Sequence, residues 1–225
     1  MIAPLRAPAL VRAWFLLTAF VVVVAIVVQV PASVVETGGF FDVPLYRGLN
    51  VFAFFTIQSN LLVAVSALLT SLQPDVDTLL RRVIRLTALV AISVTGVVYH
   101  AVLAGLVEMS RAAAFADLLV HTVVPLMAVL GWAAFGPRGR TDWRVVGLSV
   151  VFPVAWLAVT LVRGPLVGGF WPYPFVDVDE LGWAQVLLNC GAVAMLFVGL
   201  AGAAHGLDGV LCRRARAGAE SLTIG

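Results

Sequence analysis

Thr56 and His121 are reactive side chains, each set about two turns inside a different apolar stretch of this chain. A threonine hydroxyl becomes a useful nucleophile only when a base removes its proton as it attacks, and an imidazole is well suited to that role. Asp117 precedes His121 by four residues, which on a helix places a carboxylate one turn away on the same face. There it can orient the ring and stabilise its cationic form. Thr56, Ser59 and Asn60 follow i, i+3, i+4 spacing and so share one helix face, while His100 and Asn189 come from two further apolar stretches. Ser59, Asn60 and His100 are the candidate donors to a developing oxyanion. Pro125, four residues after His121, cannot donate the backbone bond that the His121 carbonyl would normally accept, so a kink or a freed acceptor is expected there.

The elements that position these residues follow from composition. The chain is 62% hydrophobic and 12% charged, with a mean hydropathy of +1.06, more apolar surface than a soluble domain can hide. Six stretches reach the roughly 20 residues a membrane-crossing helix needs: Ala13–Val30, Val51–Leu72, Val83–Val107, Phe115–Phe135, Val145–Val162 and Trp183–Ala204. All fourteen basic residues are arginines. Eleven of them fall on one side, at Arg6 and Arg12, Arg81, Arg82 and Arg85, Arg138, Arg140 and Arg144, and Arg213, Arg214 and Arg216. Arg47, Arg111 and Arg163 fall on the other. The positive-inside bias therefore predicts both termini in the cytoplasm, with Asp177, Asp179 and Glu180 outside. The arginines read as juxtamembrane anchors, and the net charge of +2 gives no sign of a nucleic-acid role. Val30-Pro31-Ala32 loosely resembles a signal cleavage site, but the apolar run before it is longer than a signal core, so the first helix is expected to be retained.

With this topology Thr56 and His121 lie at a similar depth, roughly 8–9 Å below the outer boundary at 1.5 Å per residue. His100 and Asn189 reach the same layer from the third and sixth helices. Buried polar groups in hydrocarbon are costly unless paired, so a shared layer suggests a site. Each residue also has a structural role open to it. Thr56 can bond its own backbone, Asn60 and Asn189 can join helices, His100 can hydrogen-bond across the bundle, and His205 sits at an interface. Three histidines on three helices without a second deep carboxylate do not make a metal site. Cys190 and Cys212 lie at different levels and are not expected to pair. The outer segment 163–182 contains Pro172 and Pro174, which deny it a regular helix. Trp171, Tyr173 and Phe175 there suit either a headgroup anchor or a rim or lid over an outward-opening site.

Three motifs in order, Phe54-Phe55-Thr56-Ile57-Gln58-Ser59-Asn60, His121-Thr122-Val123-Val124-Pro125 and Trp171-Pro172-Tyr173-Pro174-Phe175, resemble the bacterial branch of the androgen-induced-gene-like, or FAR-seventeen-a, membrane proteins. The resemblance covers about residues 10–205. In animal members the threonine of a Phe-Leu-Thr stretch and the histidine of a His-Thr-x-x-x-Pro stretch serve a hydrolase of fatty acid esters of hydroxy fatty acids. Carried over, these are Thr56 and His121. The proline here follows the histidine by four positions rather than five, and Gln58-Ser59-Asn60 is the bacterial form.

The expectation is therefore an all-α, six-helix multi-pass protein of the plasma membrane. It has a cytoplasmic N-terminus over 1–12, a transmembrane domain over 13–204 and a basic cytoplasmic tail over 205–225. Its expected activity is hydrolysis of a membrane lipid ester, with Thr56 as nucleophile, His121 as base and Asp117 as orienter, and with no cofactor. The alternatives are a small-solute transporter subunit that binds a ligand in the same polar layer, and a family member with only a structural role.

Overall fold

The computed structural model describes residues 9–36 and 39–223, with side chains up to residue 215. Arg6 and the side chain of Arg216, used above, lie outside the described residues. The helices are α1 (Ala9–Val35), α2 (Pro44–Asn50), α3 (Phe55–Leu72), α4 (Leu79–Val98), α5 (Arg111–Leu118), α6 (Val124–Phe135), α7 (Trp143–Ser149), α8 (Val151–Leu166) and α9 (Val178–Thr223). A π-helical turn, Tyr99–Leu103, extends α4, and another, Leu119–Val123, joins α5 to α6. Merged across such junctions, six helical runs are long and apolar enough to cross a membrane, and no strand occurs among the described residues. The helix expected to end near Ala204 continues to Thr223 and is broken near its start by Gly182, at φ 73°.

Local chemistry sets the helix starts. Thr78, Ser110 and Asp142 each accept a backbone N–H of the first turn, capping α4, α5 and α7. Phe54, before α3, has no side chain able to do so. Thr56 consequently stands in the first turn of α3, not five residues below its start, because Val51–Ala53 forms a separate short turn and Phe54 is extended.

α4 lies at the centre and packs on α3, α6, α7 and α9, while α1 packs on α3, α5 and α6. Val90, Val94, Val145, Phe197 and Ala201 form one core, and Ala19, Val22, Val63, Ile92 and Val124 form another. The outward faces are apolar too: Leu166 is 80% exposed and Met195 73%. Such a surface is stable against lipid, not water.

At the arginine-rich end Asp77 accepts from Nε of Arg82 at 2.8 Å and sits 2.9 Å from Nη1 of Arg140, tying the turn after α3 to the connection before α7. The hydrogen bond from Arg82 holds the Asp77 carboxyl below its usual value of 3.8; burial opposes this and Arg140 adds to it. A carboxyl depressed on folding contributes stability above its unfolded value, lost as pH falls through the folded one. Asp77→Asn is therefore expected to remove a small stabilisation at about pH 7 and a smaller one at about pH 3, where the folded carboxyl is becoming protonated. Urea unfolding of wild type and variant at the two pH values checks this, and an equal difference at both would contradict it.

Candidate functional site

The absent cap of α3 is replaced from the far end of the chain. Tyr173, carried by the turn before Pro174–Val176, reaches into the bundle, and its Oη accepts the Thr56 N–H at 3.1 Å. The same Oη is 3.1 Å from Oγ1 of Thr56, which is 3.2 Å from Nε2 of His121. Nδ1 of His121 lies 2.8 Å from Oδ1 of Asp117 and 3.2 Å from its backbone carbonyl. The Tyr99 hydroxyl donates to the other Asp117 oxygen, and the Tyr99 ring stacks on the imidazole at 3.9 Å and 9°. Tyr173, Thr56, His121 and Asp117, from three separate segments, thus form one line, which Tyr99 extends beyond Asp117.

The neighbours fix the directions. Nδ1 faces only acceptors, so it carries a proton and Nε2 is the acceptor, a tautomer assigned from the network. The Thr56 hydroxyl then donates to Nε2, and Tyr173, having accepted the Thr56 N–H, donates to Oγ1. All hydrogens point from Tyr173 toward Asp117. Burial pushes the Tyr173 phenol up to about 12, against the opposing effect of its hydrogen bonds with Thr56. The phenol therefore keeps its proton and shares it.

The expected kink at Pro125 is instead a widened turn. With no proline N–H available to the His121 carbonyl, the chain runs in π register over Leu119–Val123. Tyr99 opens the other π turn. Such turns often accompany functional sites, since they aim side chains that a regular helix would not. Gly96 permits the close approach of the two: a Cβ there would sit 3.3 Å from Pro125 and 3.4 Å from the His121 carbonyl.

The remaining expected site residues support the line without joining it. Asn60, fully buried, gives its Nδ2 hydrogens to the carbonyls of Thr56 at 2.8 Å and Val120 at 3.2 Å. Ser59 bonds the Thr56 carbonyl and Thr95, each at 2.9 Å. His100 faces Thr122 on the exposed side, 3.1 Å away. Asn189 donates to the Phe175 carbonyl at 2.9 Å and so steadies the turn that carries Tyr173. Trp171 stays on the rim, bonded to Asp179 at 2.8 Å. Tyr173, expected at the rim, is 8% exposed and belongs to the line itself. Tyr99 and Thr95 were not anticipated; no short spacing in the sequence links them to Asp117 or Ser59.

For ester hydrolysis this geometry is incomplete. Asn60, Ser59 and His100 are already committed to other partners, the Thr56 N–H is held by Tyr173, and the Tyr173 hydroxyl is given to Oγ1 of Thr56. No donor among these is left aimed at the place where an oxyanion would form. The line does border an apolar cavity of about 130 Å³, walled by Phe55, Thr95, Trp156, Phe175 and Cys190 with Thr56 and Tyr173 at its edge. Tyr173→Phe would leave the Thr56 N–H unpartnered in a buried first turn, at a cost of about 1–3 kcal/mol. Chemical unfolding in detergent measures it, and an unchanged midpoint would contradict the bond.

Fold and site together define a polytopic membrane protein with a partly buried Asp–His–Thr–Tyr hydrogen-bonded line. Over 63 residues the chain is 41% identical to NADH-ubiquinone oxidoreductase chain 6 of Uria aalge, a match covering 27% of this chain and 34% of that protein. Over 61 residues it is 43% identical to the protein of the same name from Synthliboramphus antiquus and 38% identical to that from Synthliboramphus wumizusume, with the same coverage. The chain thus matches about a third of the length of these curated relatives. No family model matches it, and no solved structure does. These relatives are named as a chain of an oxidoreductase, not as a hydrolase or a transporter. They overturn the lipid-ester hydrolase expected from sequence and give no support to the small-solute transporter subunit kept as its alternative. The expectation that the chain's partners are membrane lipids and an ester substrate falls with the hydrolase.

Proposed function

We propose that this chain is a membrane subunit of a larger protein assembly, and that its Asp117–His121–Thr56–Tyr173 line relays a proton. The observation that carries the relay is the unbroken series of contacts of 3.1, 3.2 and 2.8 Å, along which the assigned hydrogens all run one way. A proton arriving at the Tyr173 oxygen displaces the phenolic proton to Thr56. The threonine proton passes to Nε2 of His121, and the Nδ1 proton passes to Asp117. One proton enters, one is delivered to the carboxylate, and no bond between heavy atoms changes. Low local dielectric strengthens such a series.

Membership of an assembly rests on the likeness to a protein whose name makes it one chain among several of an enzyme acting between NADH and ubiquinone. The three segments that resemble the FAR-seventeen-a proteins supply Thr56, His121 and Tyr173, so we place any kinship with that family in the relay. The arginine distribution supports a plasma-membrane orientation with the arginine-rich end in the cytoplasm.

The test is native electrophoresis of the tagged chain after gentle digitonin extraction. The expected result is a particle several times the 23.8 kDa of the chain, containing a reproducible set of other proteins. Recovery of the chain alone at its own mass would contradict the proposal.

A further inference from the structure

The arginine-rich end holds a second polar cluster that the relay does not use. A cavity of about 50 Å³ opens there between the end of α3, the turn after it, the start of α4 and the connection before α7. One water centre needs roughly 10–15 Å³, so there is room for a few waters or one tetrahedral anion. Its wall contains four guanidiniums, Arg81, Arg82, Arg85 and Arg140, against a single carboxylate, Asp77. Asp208 lies close by, with Oδ2 accepting the N–H groups of Arg140 and Thr141 at 3.0 and 3.2 Å. Counting it, arginines still outnumber carboxylates two to one.

Arg85 is the decisive residue. Its Nη1 donates to the Pro137 carbonyl at 3.0 Å, but its Nη2 is fully buried and has no partner. A buried charged donor without an acceptor is costly, so a missing partner is implied. Asp77, already shared between Arg82 and Arg140, shows that an anion fits between guanidiniums of two different elements. Neither oxygen of Asp77 makes a hydrogen bond to Nη2 of Arg85, and Oδ1 of Asp208 is likewise buried without a partner. A phosphate, with more oxygens and a fit to the guanidinium fork, can also serve Arg85.

We propose that this cavity binds a phosphate group, with Arg85, Arg82 and Arg140 as its ligands. Its place at the end of the membrane-crossing helices suits either a phospholipid headgroup or a free phosphate compound from the adjoining solution.

The full chain, delipidated in neutral detergent, is unfolded by heat with tryptophan fluorescence as readout. Inorganic phosphate is titrated against chloride of equal ionic strength, and phosphatidylglycerol against phosphatidylcholine. Stabilisation by phosphatidylglycerol alone assigns a headgroup; stabilisation by inorganic phosphate assigns a free anion; either supports the site. Arg85→Gln and Arg140→Gln are each expected to raise the half-saturating concentration about tenfold, while Arg213→Gln, outside the cavity, leaves it unchanged. If Arg85→Gln does not fold, Arg140→Gln decides. No stabilisation by either probe, wild-type half-saturation in the folded cavity variants, or an equal loss in Arg213→Gln would overturn the proposal.

Discussion

On the proposed relay, His121→Leu is expected to lower proton-linked turnover of the proposed assembly by about 10²-fold or more, the usual scale for losing a positioned proton-transfer group. The amount of chain in the membrane should change little. Leucine has nearly the volume of the imidazole and can lie under the Tyr99 ring, which stacks at 3.9 Å, so packing survives. What disappears is the group that accepts from Thr56 on one nitrogen and donates to Asp117 on the other. Asp117→Asn should fall between, since it keeps a hydrogen-bond acceptor for Nδ1 and removes the charge that receives the proton. His100→Gln, altering a histidine outside the line, should behave as wild type. Turnover per assembled particle, with chain content measured by immunoblot, checks the series. A His121→Leu assembly that runs at the wild-type rate would remove the relay from the mechanism.

The second large effect is on the fold. Gly131 of α6 faces Trp14 of α1, and a Cβ there would lie 2.5 Å from the indole nitrogen and 2.9 Å from the adjacent carbon. The indole cannot simply swing aside, because Nε1 is held by the Met127 carbonyl at 3.2 Å and the ring packs on Phe135 at 5.8 Å. Small residues let membrane helices approach closely, and overpacking such a contact costs about 1–3 kcal/mol. Gly131→Val is expected at the upper end of that range. Trp14→Leu opens space at the same point, so the double variant should lose less than the sum of the singles. Unfolding of the four proteins in detergent provides the cycle. Strict additivity would mean that the two residues do not meet.

What could be read from sequence, and what could not, divides along physical lines. Hydropathy reports whether a run of residues can face lipid, and the six spans agree with it. Spacing within one helix reports a shared face, so the Asp117–His121 pair and the Thr56, Ser59, Asn60 set were legible. Depth arithmetic then brought Thr56 to the level of His121, although its assumed position five residues into α3 was wrong: helix ends depend on caps, and α3 is capped by a residue 117 positions away. Tyr173 carried a headgroup-aromatic signal that many interfacial residues share, and nothing local marked it as buried. Tyr99 meets Asp117 across two helices, near the points where each passes into a π turn. The function expected for Thr56 required a free oxyanion donor, which is a property of hydrogen-bond partners across the bundle. Sequence spacing carries no record of those.

Nitrogen-15 NMR of the histidine side chains in mildly alkaline buffer tests the relay most directly, with His100→Gln and His205→Gln used to assign the three rings. The account predicts that His121 carries its proton on Nδ1, with Nε2 a hydrogen-bonded acceptor whose resonance moves in both Thr56→Val and Tyr173→Phe. A proton found on Nε2, or a resonance indifferent to both substitutions, would contradict a relay running from Tyr173 to Asp117.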